Sequence, residues 1–199
     1  LLVDDAHGFG IMGAGGRGTG EHFGVQDGID LYFTTFAKSM AMIGAFVAGD
    51  QLVVDFLRYN LRSQIYAKSL PLALVIGART RLRLLREGNH LRQAVWGITK
   101  ELQDGLRAGG QDLGVTETPV TTVYLSGGVP ESVAILFELR EQHGVFVSAV
   151  TYPVIEKGLL MLRLIPTANH TSQDVQETLA AFEVVTAKAK AGAYRVSVA

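Results

Sequence analysis

Cysteine is absent from the 199 residues of this chain. Its absence excludes a disulfide framework, thiolate zinc sites and a cysteine nucleophile, and it is compatible with the cytosol. An excess of charge of one sign is missing too. The 18 basic and 19 acidic residues leave a net charge of −1, so no broad field draws the protein to nucleic acid or an anionic membrane. No apolar run is long enough to span a bilayer, and there is no signal-peptide pattern. Internal repeats and low-complexity tracts are lacking as well. What is present is ordinary globular material, 48% hydrophobic and 19% charged, enough for a sizeable core in one large domain or two small ones.

Leu1 to Asp5 reads as a short strand, too apolar for simple alternation and typical of a buried position in a parallel sheet. Gly8 to Gly24 is glycine-dense and predicts a loop rather than a helix. Strands are expected over Leu31 to Phe36 and Ala45 to Ala48, then a helix from about Gln51 to Leu61. A long helical region follows Pro71, carrying Arg79, Arg81, Arg83 and Arg86, and Glu87-Gly88-Asn89 interrupts it before a further helix to about Arg107. Gly109-Gly110 is the expected junction between a first domain over residues 1–108 and a second over 109–199. The second reads strand (Val120 to Leu125), helix (Pro130 to His143), two strands (Val145 to Val150, Leu159 to Ile165) and a helix from about Ser172 to Ala189. Thr171 and Asp174 form the capping pair of that last helix. This alternation predicts an α/β first part and a smaller α+β second part.

The glycine loop twice matches G-x-G-x-x-G, at Gly8 to Gly13 and at Gly13 to Gly18. A dinucleotide fingerprint must open a helix whose amino terminus meets the pyrophosphate. Here glycines continue at Gly20 and Gly24, and the match is the chance product of a glycine-dense stretch. Asp4-Asp5-Ala6-His7 admits three readings. As metal ligands the residues lack a third and fourth partner, and as plain structure they are a turn at a strand end. As a cofactor site, Asp4 would pair with a pyridine nitrogen and keep it protonated, with His7 approaching the ring's phenolic oxygen.

Lys38 is one of six lysines and the only one set between apolar segments, after Tyr32, Phe33 and Phe36 and before Met40 to Phe46. A lysine there is costly unless it is paired or covalently used, and burial favours amine chemistry. A side chain that snorkels to the surface is the bland alternative. Thr35, three residues earlier, can offer its hydroxyl to a phosphate. A carboxylate, an imidazole, a hydroxyl and an amine at two strand ends are the groups that hold and use pyridoxal 5'-phosphate.

In order and spacing, Asp4, His7, Thr35 and Lys38 resemble the α-oxoamine synthase family of fold-type I pyridoxal phosphate enzymes, which condense an amino acid with an acyl-CoA thioester and lose CO2. Val3-Asp4-Asp5-Ala6-His7-Gly8 matches the family's strand-end motif D-[DE]-[AS]-H, and Thr35-Phe36-Ala37-Lys38 matches its T-F-x-K lysine segment. Arg163 precedes Thr167-Ala168-Asn169-His170-Thr171 as the family's carboxylate-gripping arginine precedes T-A-x-H-T. A bidentate guanidinium suits that role, whereas His170 reads as a structural or turn histidine. Similarity runs over essentially the whole chain. It looks closest to the bacterial serine palmitoyltransferases, on Phe36 to Ala41, Tyr59 to Gln64, Ala67 to Pro71 and Tyr152 to Gly158.

The resemblance implies an aspartate aminotransferase-like α/β fold, with a partial large domain followed by a small α+β domain. It implies Lys38 and His7 as catalytic groups, Asp4, His7, Thr35 and Lys38 on the cofactor, and Arg163 on the substrate. L-serine and palmitoyl-CoA are the implied substrates, in sphingolipid synthesis. Glycine C-acetyltransferase or 8-amino-7-oxononanoate synthase activity is the close alternative. An aminotransferase, or a non-catalytic subunit of the same fold, is the more distant one. Family members are about twice as long, so the chain is expected to be the carboxy-terminal half, lacking the ring-stacking histidine and phosphate nest and inactive alone. A homodimer is implied for the full-length enzyme, with Ala67-Lys68-Ser69 reaching the neighbouring subunit's phosphate. The expected setting is cytoplasmic, free or peripheral to the inner membrane.

Overall fold

In the computed structural model, which describes residues 1–195, the opening apolar run forms strand β1 over Leu2–Asp4. It pairs in parallel with β2 (Leu31–Thr35), Asp4 lying opposite Phe33. β2 turns back through a loop into antiparallel β3 (Ala45–Gly49), which completes a sheet of order β1-β2-β3. β1 is less buried than its apolar sequence predicts. Among the described residues it pairs with β2 alone, and Leu2 is 65% exposed. In β2 the alternation is strict, Tyr32 and Thr34 being buried and their neighbours half-buried, because successive side chains of a strand face opposite sides.

The glycine-dense stretch is a run of turns, with a single helical turn, α1 (Thr19–His22), and a 3-10 turn at Gln26–Gly28. Helix α2 (Gln51–Asn60) opens on Asp50, whose carboxylate accepts from the Leu52 N–H, as an N-cap residue does. A short helix not expected from the sequence, α3 (Arg62–Ala67), follows at once, and α4 (Leu72–Glu87) starts behind Pro71. Gly88 ends α4, and α5 (Asn89–Ala108) begins one residue later.

By its contacts the chain divides into two units, Leu1–Arg92 and Gln93–Ala199. The division thus falls inside α5, earlier than Gly109-Gly110. The physical reason is that Leu102 and Leu106, on the later turns of α5, are buried in the core of the second unit.

The second unit is built from β4 (Thr121–Ser126), α6 (Val129–His143), β5 (Ser148–Val150), β6 (Leu159–Leu164) and α7 (Ser172–Lys190). Its antiparallel sheet has the order β4-β6-β5. Leu160, Leu162 and Leu164 alternate along β6 into a core shared with Val123, Ile135, Leu139, Phe182 and Val185. The capping box expected at α7 is formed: the Thr171 hydroxyl accepts from the Asp174 N–H, and Asp174 accepts from the Thr171 N–H at 2.7 Å. The bond from the Thr171 N–H, and then one donated by the Thr171 hydroxyl, hold the Asp174 carboxyl below its ordinary range.

One charged cluster ties α6 to the last turn of α7 and to the chain just after it. Glu138 is buried and accepts from Lys188 Nζ and from the Tyr194 hydroxyl, each at 2.8 Å. The bond from Lys188 outweighs the burial and depresses the Glu138 carboxyl, while burial and that carboxylate push the Tyr194 phenol up. A carboxylate depressed on folding stabilises the fold above the ordinary carboxylate range, and that contribution is lost as pH falls through its folded-state pKa. Glu138→Gln is expected to cost about 2 kcal/mol at neutral pH, the worth of hydrogen bonds to a charged group. Urea titrations should show the gap from the parent chain closing in acid.

Candidate active site

Because β1 and β2 run in parallel, their carboxyl ends lie side by side, the position where open α/β sheets bind ligands. Three of the residues singled out in the sequence stand at or just past those ends. Asp4 closes β1, is exposed, and accepts from the Ala6 N–H at 3.0 Å. Thr35 closes β2; its hydroxyl donates to the Gly44 carbonyl and accepts from the Ala37 N–H, both at 3.2 Å. His7 begins the glycine loop.

Lys38 sits in the loop between β2 and β3, and its Nζ lies 3.2 Å from His7 Nε2. The loop is held by Phe36 and Met40, two residues to either side, which are 9% and 3% exposed. They fill the interior, so the turn carries Lys38 outward and leaves it exposed. This corrects the expectation of a lysine enclosed by apolar segments: the neighbours are buried and the amine is not. Arg163 is on β6 of the second unit, half-buried, with Nε donating to Ser148 Oγ at 3.2 Å. His170 takes a turn role, its Nδ1 accepting from the Thr167 N–H at 3.0 Å.

Period-two alternation separates the two neighbouring aspartates. Asp4, like Phe33 and Thr35, is on one face of the sheet, and Asp5 shares the other with Tyr32 and Thr34. Asp5 is 3% exposed and accepts at 2.8 Å from both the Tyr32 hydroxyl and the Thr19 N–H. Burial, and then the Asp5 bond and charge, push the Tyr32 phenol up. The loop packs so closely here that a Cβ at Gly18, where φ is +106°, would stand 1.8 Å from Asp5 Oδ2. Asp5 and Tyr32 thus brace the loop that carries His7. The sequence held a signal for this, since two adjacent carboxylates on a strand must face opposite ways.

Glu21, by contrast, gave no signal in the sequence. Its carboxylate accepts from the Gly15 N–H at 3.1 and 3.2 Å and from the Arg17 N–H at 2.9 Å. Two backbone donors that a phosphate-binding reading of the glycine motif would use, those of Gly15 and Arg17, are thus engaged internally, and the helix after the motif is one turn long. On the Tyr32 face, Phe9, Tyr32, Phe36 and Phe46 line an apolar hollow of about 630 Å³. Phe46 packs against Phe9, Tyr32 and Phe36 with centroids 5.6 to 6.0 Å apart. Among the described residues no group of three or more His, Asp or Glu could hold a metal ion, and no helix is long and apolar enough to cross a membrane.

An exposed amine beside an imidazole, an exposed carboxylate and a strand-end hydroxyl fit pyridoxal phosphate in donor chemistry. The architecture is the fold-type I pyridoxal phosphate transferase fold: over 96% of this chain and 48% of the other, it matches the serine palmitoyltransferase of Sphingomonas wittichii with a TM-score of 0.85 and 32% identity. The family model for aminotransferase class I and II matches residues 1–182, and the chain belongs to that family. The cysteate-C-fatty acyltransferase of Capnocytophaga ochracea is 54% identical over 195 residues, covering 98% of this chain and 46% of that protein. The 8-amino-7-oxononanoate synthase of Exiguobacterium sibiricum is 36% identical over 185 residues, covering 93% and 47%. These relatives bear out the resemblance to the α-oxoamine synthases. The chain spans about half the length of the curated relatives it matches.

Asp5→Ala, which strands two donors, is expected to lower stability by about 2–3 kcal/mol, and Tyr32→Phe by about 1 kcal/mol. Denaturant unfolding of the two variants measures both.

Proposed function

We propose that this chain supplies the lysine-bearing part of a pyridoxal phosphate-dependent acyltransferase that joins an amino acid to a fatty acyl thioester with loss of CO2. The observation that carries the reading is the pair Lys38 Nζ and His7 Nε2, 3.2 Å apart beside the carboxyl ends of two parallel strands. Pyridoxal phosphate, when bound, supplies an electron sink for charge at the substrate Cα. Lys38 would be the covalent attachment point and the base that takes the Cα proton at Nζ. Asp4 would accept from the pyridine nitrogen, His7 would orient the cofactor oxygen, and the Thr35 hydroxyl would reach the phosphate by exchanging its bond to the Gly44 carbonyl for one to a phosphate oxygen. Arg163, on the second unit, would grip the substrate carboxylate through its guanidinium. The balance is amino acid plus acyl-CoA giving aminoketone, CoA and CO2.

For the amino acid, the 54% identity to a cysteate-C-fatty acyltransferase favours cysteate. L-serine with palmitoyl-CoA is the second reading, supported by the residue segments quoted above and by the fold match to a serine palmitoyltransferase. A homodimer is part of the same reading. Leu52, Phe56, Tyr59 and Tyr66 on α2 and α3 are each at least 64% exposed, the kind of apolar face a subunit covers. Lys68, just past α3, holds φ at +70°, a cost that non-glycine residues bear mainly at functional positions. That supports Ala67-Lys68-Ser69 as the segment that reaches the neighbouring phosphate.

The test uses the full-length enzyme with pyridoxal phosphate. Borohydride should fix the cofactor on Lys38, and Lys38→Ala should lower turnover by about 10³-fold or more. CoA release should be fastest with cysteate and a long-chain acyl-CoA. Faster release with L-serine would favour the second reading, and a labelled lysine other than Lys38 would sink both. Arg163→Ala is expected to raise the amino-acid KM by about 30-fold, the loss of a charged hydrogen-bonded pair worth about 2 kcal/mol.

A further inference from the structure

Arg163 and Ser148 are direct cross-strand partners, β6 against β5, and Thr122 is the partner of Arg163 on the other side, in β4. Leu162 and Leu164 alternate into the core, so Arg163 stands on the opposite face of the sheet with Ser148 and Thr122. The two hydroxyls are not equivalent. Thr122 Oγ1 donates to the Leu113 carbonyl at 2.8 Å and lies 2.9 Å from Thr116 Oγ1, which commits it to its own side of the sheet. Ser148 Oγ accepts from Arg163 Nε at 3.2 Å.

A guanidinium can take a carboxylate bidentately in two ways: side-on, through Nε and one Nη, or end-on, through both Nη groups. With Nε–H engaged by Ser148, the side-on edge is closed. We infer that Ser148 is a positioning residue for Arg163, holding the guanidinium so that the amino-acid carboxylate is taken end-on by the two Nη groups. This rests on the reading of Arg163 as the carboxylate ligand and adds the geometry of that contact and the residue that imposes it. The neutral hydroxyl suits the task, because it fixes the fork without neutralising the charge the substrate needs. A carboxylate at position 148 would compete with the substrate for the same guanidinium.

The test is steady-state kinetics on full-length holoenzyme at saturating acyl-CoA, with Ser148→Ala, Ser148→Thr and Arg163→Ala. Ser148→Ala is expected to raise the amino-acid KM about 3–10-fold, the worth of one hydrogen bond, with kcat changed less and the acyl-CoA KM unchanged. Ser148→Thr, which keeps the hydroxyl, should return KM to near the parent value. Inhibition by the amine lacking the carboxylate should be the same in the parent enzyme and in Ser148→Ala. An unchanged amino-acid KM in Ser148→Ala, alongside a raised one in Arg163→Ala, overturns the role of Ser148 alone. Equal weakening of the carboxylate-free amine overturns it too, because the effect would then be structural. If Arg163→Ala itself leaves the amino-acid KM unmoved, the carboxylate reading of Arg163 fails and this inference fails with it.

Discussion

The first unit depends on the parallel pairing of β1 with β2. Parallel strands end on the same edge, so one register, with Asp4 opposite Phe33, brings two chain segments about thirty residues apart to a common rim. A one-residue slip would exchange the faces of Asp4 and Asp5. The carboxylate that now lies open at the rim would then be buried, and the one that braces the loop would be exposed. Asp5 resists such a slip, because its side chain is satisfied only where Tyr32 and the Thr19 N–H converge on it. The open chemistry of Asp4 and the buried structural role of Asp5 are therefore two results of one register.

Much of the secondary structure was legible in the sequence. The strands at Leu31, Ala45, Thr121 and Leu159 and the helices behind Asp50, Pro71 and Thr171 announce themselves through apolar periodicity and capping residues, which act locally. What was not legible depends on contacts. α3 breaks from α2 only at Leu61, with no glycine or proline between them. The division of the chain inside α5 is set by which leucines find a core, not by the glycine pair that looks like a hinge. Val145 to Val147 read as strand, yet β5 starts at Ser148.

The site was legible in residue type more than in placement. Asp4, His7, Thr35 and Lys38 were named from motif and spacing, and the first unit brings the amine and imidazole together. The exposure of Lys38 could not be read, because an apolar run either side of a residue does not say which of its members turn inward. Here Phe36 and Met40 do. Tyr32, Glu21 and Ser148 were missed for a shared reason: each acts on another group of the chain, and such partnerships leave little local trace, whereas Asp5 could have been found from the alternation that sets it opposite Asp4.

The carboxylate of Glu21, seated on the amides of Gly15 and Arg17, has a consequence for the glycine loop as a ligand site. A tethered anion is present at an effective concentration in the millimolar range or above, whatever the solution contains. A free phosphate would have to displace a competitor that never diffuses away. The loop is in this sense self-liganded at Gly15 and Arg17: those two amides are taken from within by Glu21, and an anion bound there would first have to dislodge it.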